Sequence, residues 1–293
     1  MLPIWKPASS RFPPWLHRSL PQSAAFIETE ATVQKYRVHT VCEEAKCPNR
    51  WECWSRKTAT FLLLGKECTR SCGFCAVAFR AIPPPPDPDE PDRIALFVQQ
   101  LALRHVVLTM VARDDLTDGG AAHFVQVVNA LQRLPKRIAI EVLTSDFSGN
   151  RDALDLVMHS GVHVFNHNLE TVRLLSPRVR HKANYDRSLG VLQQVALQKE
   201  KLQIKVKSGL MVGFGETEEQ VQETLQDLQQ VGCDIVTIGQ YLQSSSHKLK
   251  VKEFISPDQF EKYQEYGRAI GIPVVYAGPF VRSSYHAEEV FCS

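Results

Sequence analysis

Residues 203–212 read Gln203-Ile-Lys-Val-Lys-Ser-Gly-Leu-Met-Val212, and residues 218–232 read Glu218-Glu-Gln-Val-Gln-Glu-Thr-Leu-Gln-Asp-Leu-Gln-Gln-Val-Gly232. The first run alternates. Ile204, Val206, Leu210 and Val212 fall on one side, with Lys205 and Lys207 on the other, as in a strand with one apolar and one polar face. The second places Val221, Thr224, Leu225, Leu228 and Val231 on one stripe of a helix, and Gly232 stands where a C-terminal cap belongs. Together they make one βα unit.

The same unit recurs in both directions along the chain. Strands are predicted over 60–64, 105–111, 137–144, 162–169, 203–212 and 234–242, each short and rich in β-branched or aliphatic residues. Helices are predicted over 93–103, 121–134, 151–160, 185–199, 218–231 and 258–270. Six such units imply parallel strands joined by right-handed crossovers, in either an open doubly wound sheet or an incomplete barrel. Side-chain alternation favours an α/β fold of the partial (β/α)6 TIM type. Val164 shares a face with Asn166, Asn168 and Glu170, while Glu141 opposes Ile138, Ile140 and Val142. In a barrel, Glu141, Asn168, Glu170, Lys205 and Lys207 would converge inside. Buried polar groups without partners cost several kcal/mol each, so that interior calls for a polar ligand.

At 293 residues and 44% hydrophobic the chain can bury a core without disulfide staples. No apolar run reaches the length of a membrane-spanning helix. Thirty-four Lys and Arg against 32 Asp and Glu leave +2, too balanced to suggest nucleic-acid binding. Prolines break up residues 1–27, so these read as an extended arm anchored by Trp5 and Trp15 and not as a targeting peptide. The expected compartment is therefore the reducing cytoplasm, where paired disulfides are not expected. Residues 81–92, rich in Pro and acids, read as a stiff connection without chemistry.

The cysteines carry the function. Cys42, Cys47 and Cys53 form C-x4-C-x5-C, and Cys68, Cys72 and Cys75 form C-x3-C-x2-C. Cys233 and Cys292 read as a buried and an incidental thiol, with no role assigned. Structural zinc sites close four ligands around the ion, usually as two pairs. Ligands in threes suit instead three corners of a 4Fe–4S cubane whose fourth iron stays open. The second triad follows the first strand directly, at the end where a parallel barrel carries its active site.

Cys68-Thr-Arg-Ser-Cys72-Gly-Phe-Cys75 resembles the signature of the radical S-adenosylmethionine (SAM) superfamily. The resemblance implies that SAM chelates the open iron and is cleaved reductively to methionine and a 5′-deoxyadenosyl radical. It further implies that Phe74 packs near the adenine and that the backbone at Thr109 meets the SAM amino group. By the same resemblance Asn168 and Glu170 contact the ribose, and Lys207 meets a carboxylate.

The upstream triad narrows the resemblance to the lipoyl synthase family, as do Val41-Cys-Glu-Glu-Ala-Lys-Cys-Pro-Asn49 and Arg282-Ser283-Ser284-Tyr285. That family inserts two sulfur atoms, at C6 and C8 of a protein-bound octanoyl-lysine, using two 4Fe–4S clusters and two SAM molecules per lipoyl group. The resemblance implies that the second cluster is held by Cys42, Cys47, Cys53 and Ser283 and donates the sulfur. It divides the chain into an N-terminal extension (1–59), a radical SAM barrel (60–272) and a C-terminal extension (273–293) that closes the second cluster. Implied partners are octanoylated lipoyl-carrier domains of the 2-oxoacid dehydrogenase E2 or glycine-cleavage H protein type. A low-potential flavodoxin- or ferredoxin-type donor and iron–sulfur delivery proteins complete the set. The basic run Arg173, Arg178, Arg180, His181, Lys182 and Arg187 is a candidate surface for an acidic carrier. Biotin synthase-like sulfur insertion explains neither the upstream triad nor R-S-S-Y. Methylthiotransferases need a larger N-terminal domain than the 59 residues here. A non-catalytic iron–sulfur electron carrier needs no polar interior.

Overall fold

The computed structural model describes residues 12–17 and 23–284; Trp5, Tyr285, Cys292 and the rest of the two termini lie outside the described residues. Nine strands form: β1 (Thr60–Leu63), β2 (Glu67–Cys68), β3 (Ala78–Phe79), β4 (His105–Met110), β5 (Ala139–Leu143), β6 (Val164–Asn166), β7 (Lys205–Val212), β8 (Ile235–Gln240) and β9 (Val274–Gly278). Seven make one all-parallel sheet in the order β1-β4-β5-β6-β7-β8-β9, while β2 and β3 pair separately. Spatial order follows chain order throughout. A doubly wound sheet reverses its order at a switch point, so the open-sheet alternative falls away. No pairing joins β9 to β1 among the described residues, and the barrel is partial.

The six predicted helices are present as Glu90–Gln100, Ala121–Gln132, Arg151–Met158, Tyr185–Ala196, Glu218–Gln230 and Pro257–Ala269. Asn150, Asn184, Thr217 and Ser256 cap four of them by accepting a backbone N–H with the side-chain oxygen. Val221, Thr224, Leu225 and Leu228 are the buried face of their helix, as the spacing requires.

Three expectations are corrected. The sheet has a seventh strand, because Ile272-Pro-Val-Val-Tyr-Ala-Gly278 repeats the apolar run after a helix stop at Gly271; β9 thus begins inside the expected C-terminal extension. The N-terminal arm is not simply extended. It holds a short turn at Pro14–Leu16, and Ser23 caps a helix, Ala24–Tyr36, that starts within it. Leu16 is its buried anchor at 7% exposure, whereas Trp15 is 39% exposed. The Pro- and acid-rich connection also ends early, because Pro91 fits the first helical turn. Glu90 is buried, and its carboxylate accepts from Leu64 N at 3.0 Å and lies 2.8 Å from His123 Nε2. No helix among the described residues is long and apolar enough to cross a membrane.

The polar interior divides into two layers. In the lower one, Lys207 Nζ donates to both oxygens of Glu141 at 2.8 and 3.1 Å, and Asn166 Nδ2 donates to the same carboxylate at 3.3 Å. Both charged side chains are 1% exposed. Register explains the level. Thr109 pairs across the sheet with Leu143, Asn166 and Lys207 in turn, and barrel shear carries the upper layer to Asn168 and Gly209. Lys205, expected inside, is exposed at the far end of β7. Lys207→Met will leave a buried carboxylate uncompensated and lower stability by about 3–5 kcal/mol. Glu141→Leu with Lys207→Met will recover most of that loss in denaturant unfolding.

Candidate active site

The loop after β1 is strapped to the ends of its neighbours. Thr69 N and Oγ1 both donate to the Ala112 carbonyl, at 3.0 and 2.9 Å. Arg70, 7% exposed, forks onto Asp114 through Nε (2.9 Å) and Nη2 (2.7 Å), and its Nη2 also lies 2.7 Å from Asp146. Burial alone would raise the Asp114 carboxyl, but the Arg70 guanidinium more than offsets this and holds it at about 2. Between them these contacts fix the segment carrying Cys68 and Cys72 against the C-terminal ends of β4 and β5.

That segment roofs a cavity of about 400 Å³ at the C-terminal end of the sheet. Cys68, Cys72, Phe74 and Cys75 line it from the loop; Thr109, Asn168, Glu170, Gly209 and Thr237 line it from the strand ends; Cys47 enters from the N-terminal segment and Ser283 from the C-terminal one. Lys207 is absent from this lining, so the predicted carboxylate contact is corrected: its carboxylate is Glu141, one layer below. Thr109 is at the cavity wall with its hydroxyl donating to Leu143 O at 3.0 Å. Two glycines make room. A Cβ on Gly209 would stand 2.8 Å from Ser283 Oγ and 2.9 Å from Asn168 Oδ1, and one on Gly239 would stand 1.9 Å from Val281 O. The C-terminal segment therefore rests on bare backbone.

Asn168 Nδ2 donates to Glu170 Oε1 at 3.0 Å and to Ser283 Oγ at 2.6 Å, while its Oδ1 is buried without a partner. Burial pushes the Glu170 carboxyl up, and its backbone is left-handed (φ 65°) where it re-pairs with β7 beyond the end of β6. Arg180 lies behind them, 4% exposed, with Nη1 donating to the Asn168 and Leu169 carbonyls at 2.6 and 2.7 Å. Burial, reinforced by Arg180, pushes the His167 imidazole down to about 4. His167 is thus neutral near pH 7.

The upstream triad is built differently. Cys42 lies in a helical turn, Val41–Glu44, capped by Thr40, and Cys53 lies in Arg50–Ser55, with Cys47 between them. Asn49 Nδ2 donates to Phe280 O at 2.7 Å, tying this segment to the C-terminal one that carries Ser283. All seven described cysteines are free thiols. Burial, then the neighbouring Cys47, pushes the Cys42 thiol up to about 12; burial, then Cys42 and Cys47, raises Cys53. In the other triad burial, then Cys68, pushes Cys72 up to about 11, and burial pushes Cys75 up to about 12. Cys42, Cys53, Cys72 and Cys75 are thus thiols raised by burial, each beside other cysteines of its own triad. Among the described residues no three His, Cys, Asp or Glu side chains gather around a single-ion site. Thiolates on one tetrahedral ion stand about 3.8 Å apart, from metal–sulfur bonds of about 2.3 Å, whereas cubane corners hold theirs further apart. Three free thiols in each group, close to other cysteines of the same group, fit the donor set of an iron–sulfur cluster.

Sequence reasoning missed Arg70, His167 and Asp146 as cavity residues, although Arg70 sits inside the cysteine motif. It also read Arg180 as part of a surface charge run. The run is not one solvated face: Arg180 is buried, Arg173 pairs with Asp186 and Asp227, and Arg187 lies 3.1 Å from Asp146. Cys233 is buried as expected, its thiol donating to Ile235 O at 3.3 Å.

Comparison with known proteins places this geometry. Residues 62–228 match the radical SAM superfamily, and residues 2–47 match the N-terminal domain of lipoyl synthase of the radical SAM family. The chain is 60% identical to a lipoyl synthase of Protochlamydia amoebophila, over 96% of this chain and 87% of that one. It is 52% identical to a lipoyl synthase of Chlamydia felis, over 96% and 89%. In fold it is similar to the FeFe-hydrogenase maturase HydG of Carboxydothermus hydrogenoformans (TM-score 0.59, 11% identity, covering 92% of this chain and 60% of that one). It is also similar to Streptococcus suis SuiB bound to precursor peptide SuiA (TM-score 0.57, 13% identity, 90% and 55%). The chain belongs to the lipoyl synthase family, radical SAM enzymes that use two 4Fe–4S clusters and SAM to insert sulfur into a carrier-bound octanoyl chain.

Proposed function

We propose that the cavity between the two cysteine triads is where the octanoyl chain receives its sulfur, and we assign the residues accordingly. The observation that carries this assignment is that Cys68, Cys72, Cys75, Cys47 and Ser283 line one cavity. Cys68, Cys72 and Cys75 hold the cluster that binds SAM; Cys42, Cys47, Cys53 and Ser283 hold the second. When bound, these groups supply reductive SAM cleavage, hydrogen abstraction from an unactivated carbon, and sulfide. Phe74 offers its ring to the adenine. The Glu170 carboxyl, fixed by Asn168, accepts from ribose hydroxyls. Arg180, which lines the cavity, takes over from Lys207 the role of carboxylate partner; its Nη1 donates to the Asn168 and Leu169 carbonyls and its Nη2 to Ser188 Oγ. Val41, Leu62, Met110 and Leu143 form an apolar wall suited to an eight-carbon chain.

Residues 1–59 and 273–293 close the second cluster around the barrel of 60–272, with β9 extending that barrel. The enzyme acts on lipoyl-carrier proteins, here read as octanoylated domains of the dehydrogenase E2 or glycine-cleavage H protein type. A cytoplasmic location, a flavodoxin- or ferredoxin-type donor and iron–sulfur delivery proteins complete this reading.

Ser283 tests the assignment. A serine oxygen is a harder donor than a thiolate and holds iron less firmly. Ser283→Cys will keep the full iron content while lipoyl product falls at least about tenfold, on that difference in donor strength. Product yield equal to wild type would return Ser283 to a turn residue held by Asn168.

A further inference from the structure

The Cys68–Cys75 loop is flanked by two segments of which the reaction as described uses only the buried Arg180. Residues 176–183 read Ser-Pro-Arg-Val-Arg-His-Lys-Ala, and 245–252 read Ser-Ser-His-Lys-Leu-Lys-Val-Lys; neither contains an acid. Both are hydrogen-bonded to the residue between two cluster ligands: Gly73 N donates to Val179 O at 2.8 Å, and Leu249 N donates to Gly73 O at 2.9 Å. Two lysines reach the same loop from outside. Lys182 Nζ donates to Thr69 O at 2.9 Å, and Lys248 Nζ to Cys72 O at 3.3 Å. Arg178 and Lys250, one from each segment, border a common surface notch with Val179 and Leu249. Both are exposed and bound to no carboxylate among the described residues. Leu174, one helical turn before Arg178, is 71% exposed.

We propose that this basic surface is the docking site of an acidic, one-electron carrier protein that reduces the enzyme. The proposal rests on the functional reading above and adds the place where electrons enter. Charge sets the partner's sign: cations from two segments converge, and an acidic face meeting them gains encounter rate and orientation. Position sets its role. Arg178, His181, Lys182, Lys248 and Lys250 are all outside the cavity lining, so a carrier docked on them meets the cysteine loop and not the cavity wall. It can pass an electron, because each segment is one hydrogen bond from Gly73. One electron leaves the carrier and enters the cluster held by Cys68, Cys72 and Cys75, and no atom is transferred. Leu174 supplies an apolar contact at the rim of an otherwise polar interface.

The test is the double variant Arg178→Glu/Lys250→Glu, made in the reconstituted full chain. Its dissociation constant for an oxidised flavodoxin, measured by calorimetry, should rise about tenfold, with a flatter salt dependence. SAM cleavage driven by the reduced flavodoxin should fall by a similar factor, while cleavage driven by dithionite stays at the wild-type rate. An unchanged dissociation constant would overturn the proposal. An equal loss with dithionite would also overturn it, showing damage to the cysteine loop. So would intact flavodoxin-driven cleavage with loss of product from an octanoylated carrier domain, which would give the surface to that carrier. Wild-type protein that cleaves no SAM with dithionite would instead overturn the functional reading, and the proposal with it.

Discussion

Replacing Cys68, Cys72 and Cys75 together by Ala will abolish SAM cleavage and halve the iron of the reconstituted protein, from about eight atoms to about four. The loss is complete because no other group in the cavity can replace three thiolates. Arg70, Asp114 and Thr69 hold the loop through their own hydrogen bonds, so it should keep its place without the sulfurs. Iron analysis with quantitation of 5′-deoxyadenosine reads the result. Continued nucleoside formation in the triple variant would end the assignment of this loop as the SAM site.

The upstream triad should behave in the opposite way. With Cys42, Cys47 and Cys53 changed to Ala, iron again falls by about half, but SAM cleavage persists and no sulfur reaches the octanoyl chain. The segment should remain folded, because Asn49 still bonds Phe280 O and Trp54 still packs in the core at 0% exposure. Lipoyl product at the wild-type level in this variant would remove the triad from the sulfur-donating role.

The fold was legible where periodicity alone decides. The helical stripe at Val221–Val231 and the alternation at Ile204–Val212 are local patterns, and both elements lie where those patterns put them. Other features depend on how strands stack. Lys207 and Gly209 share a face of β7, yet one is sealed against Glu141 and the other floors the cavity. Strand stagger decides between them, and no single segment encodes it. β6 ends at Asn166, short of the expected residue 169; Glu170 then turns left-handed before rejoining β7. The cluster cysteines were readable because chemistry fixes their spacing. Arg70 and Arg180 were not, since a buried arginine looks like a surface one until its acceptors, Asp114 and Asp146 for Arg70 and two strand-end carbonyls for Arg180, are in place. The seventh strand was legible and unread: Val274–Gly278 carries the same apolar signal as the other six.

The central claim is that sulfur on the product comes from the cluster held by Cys42, Cys47, Cys53 and Ser283. It is tested most directly by reconstituting the wild-type enzyme with heavy-isotope sulfide, removing free sulfide, and allowing a single turnover on an octanoylated carrier domain with SAM. The variant with Cys42, Cys47 and Cys53 changed to Ala is the control that keeps only the other cluster and should yield no thiolated product. Mass spectrometry of the modified lysine should find both inserted sulfur atoms heavy, with product not exceeding one lipoyl group per chain. A product carrying light sulfur, or a yield well above the amount of enzyme without added sulfide, would contradict the account.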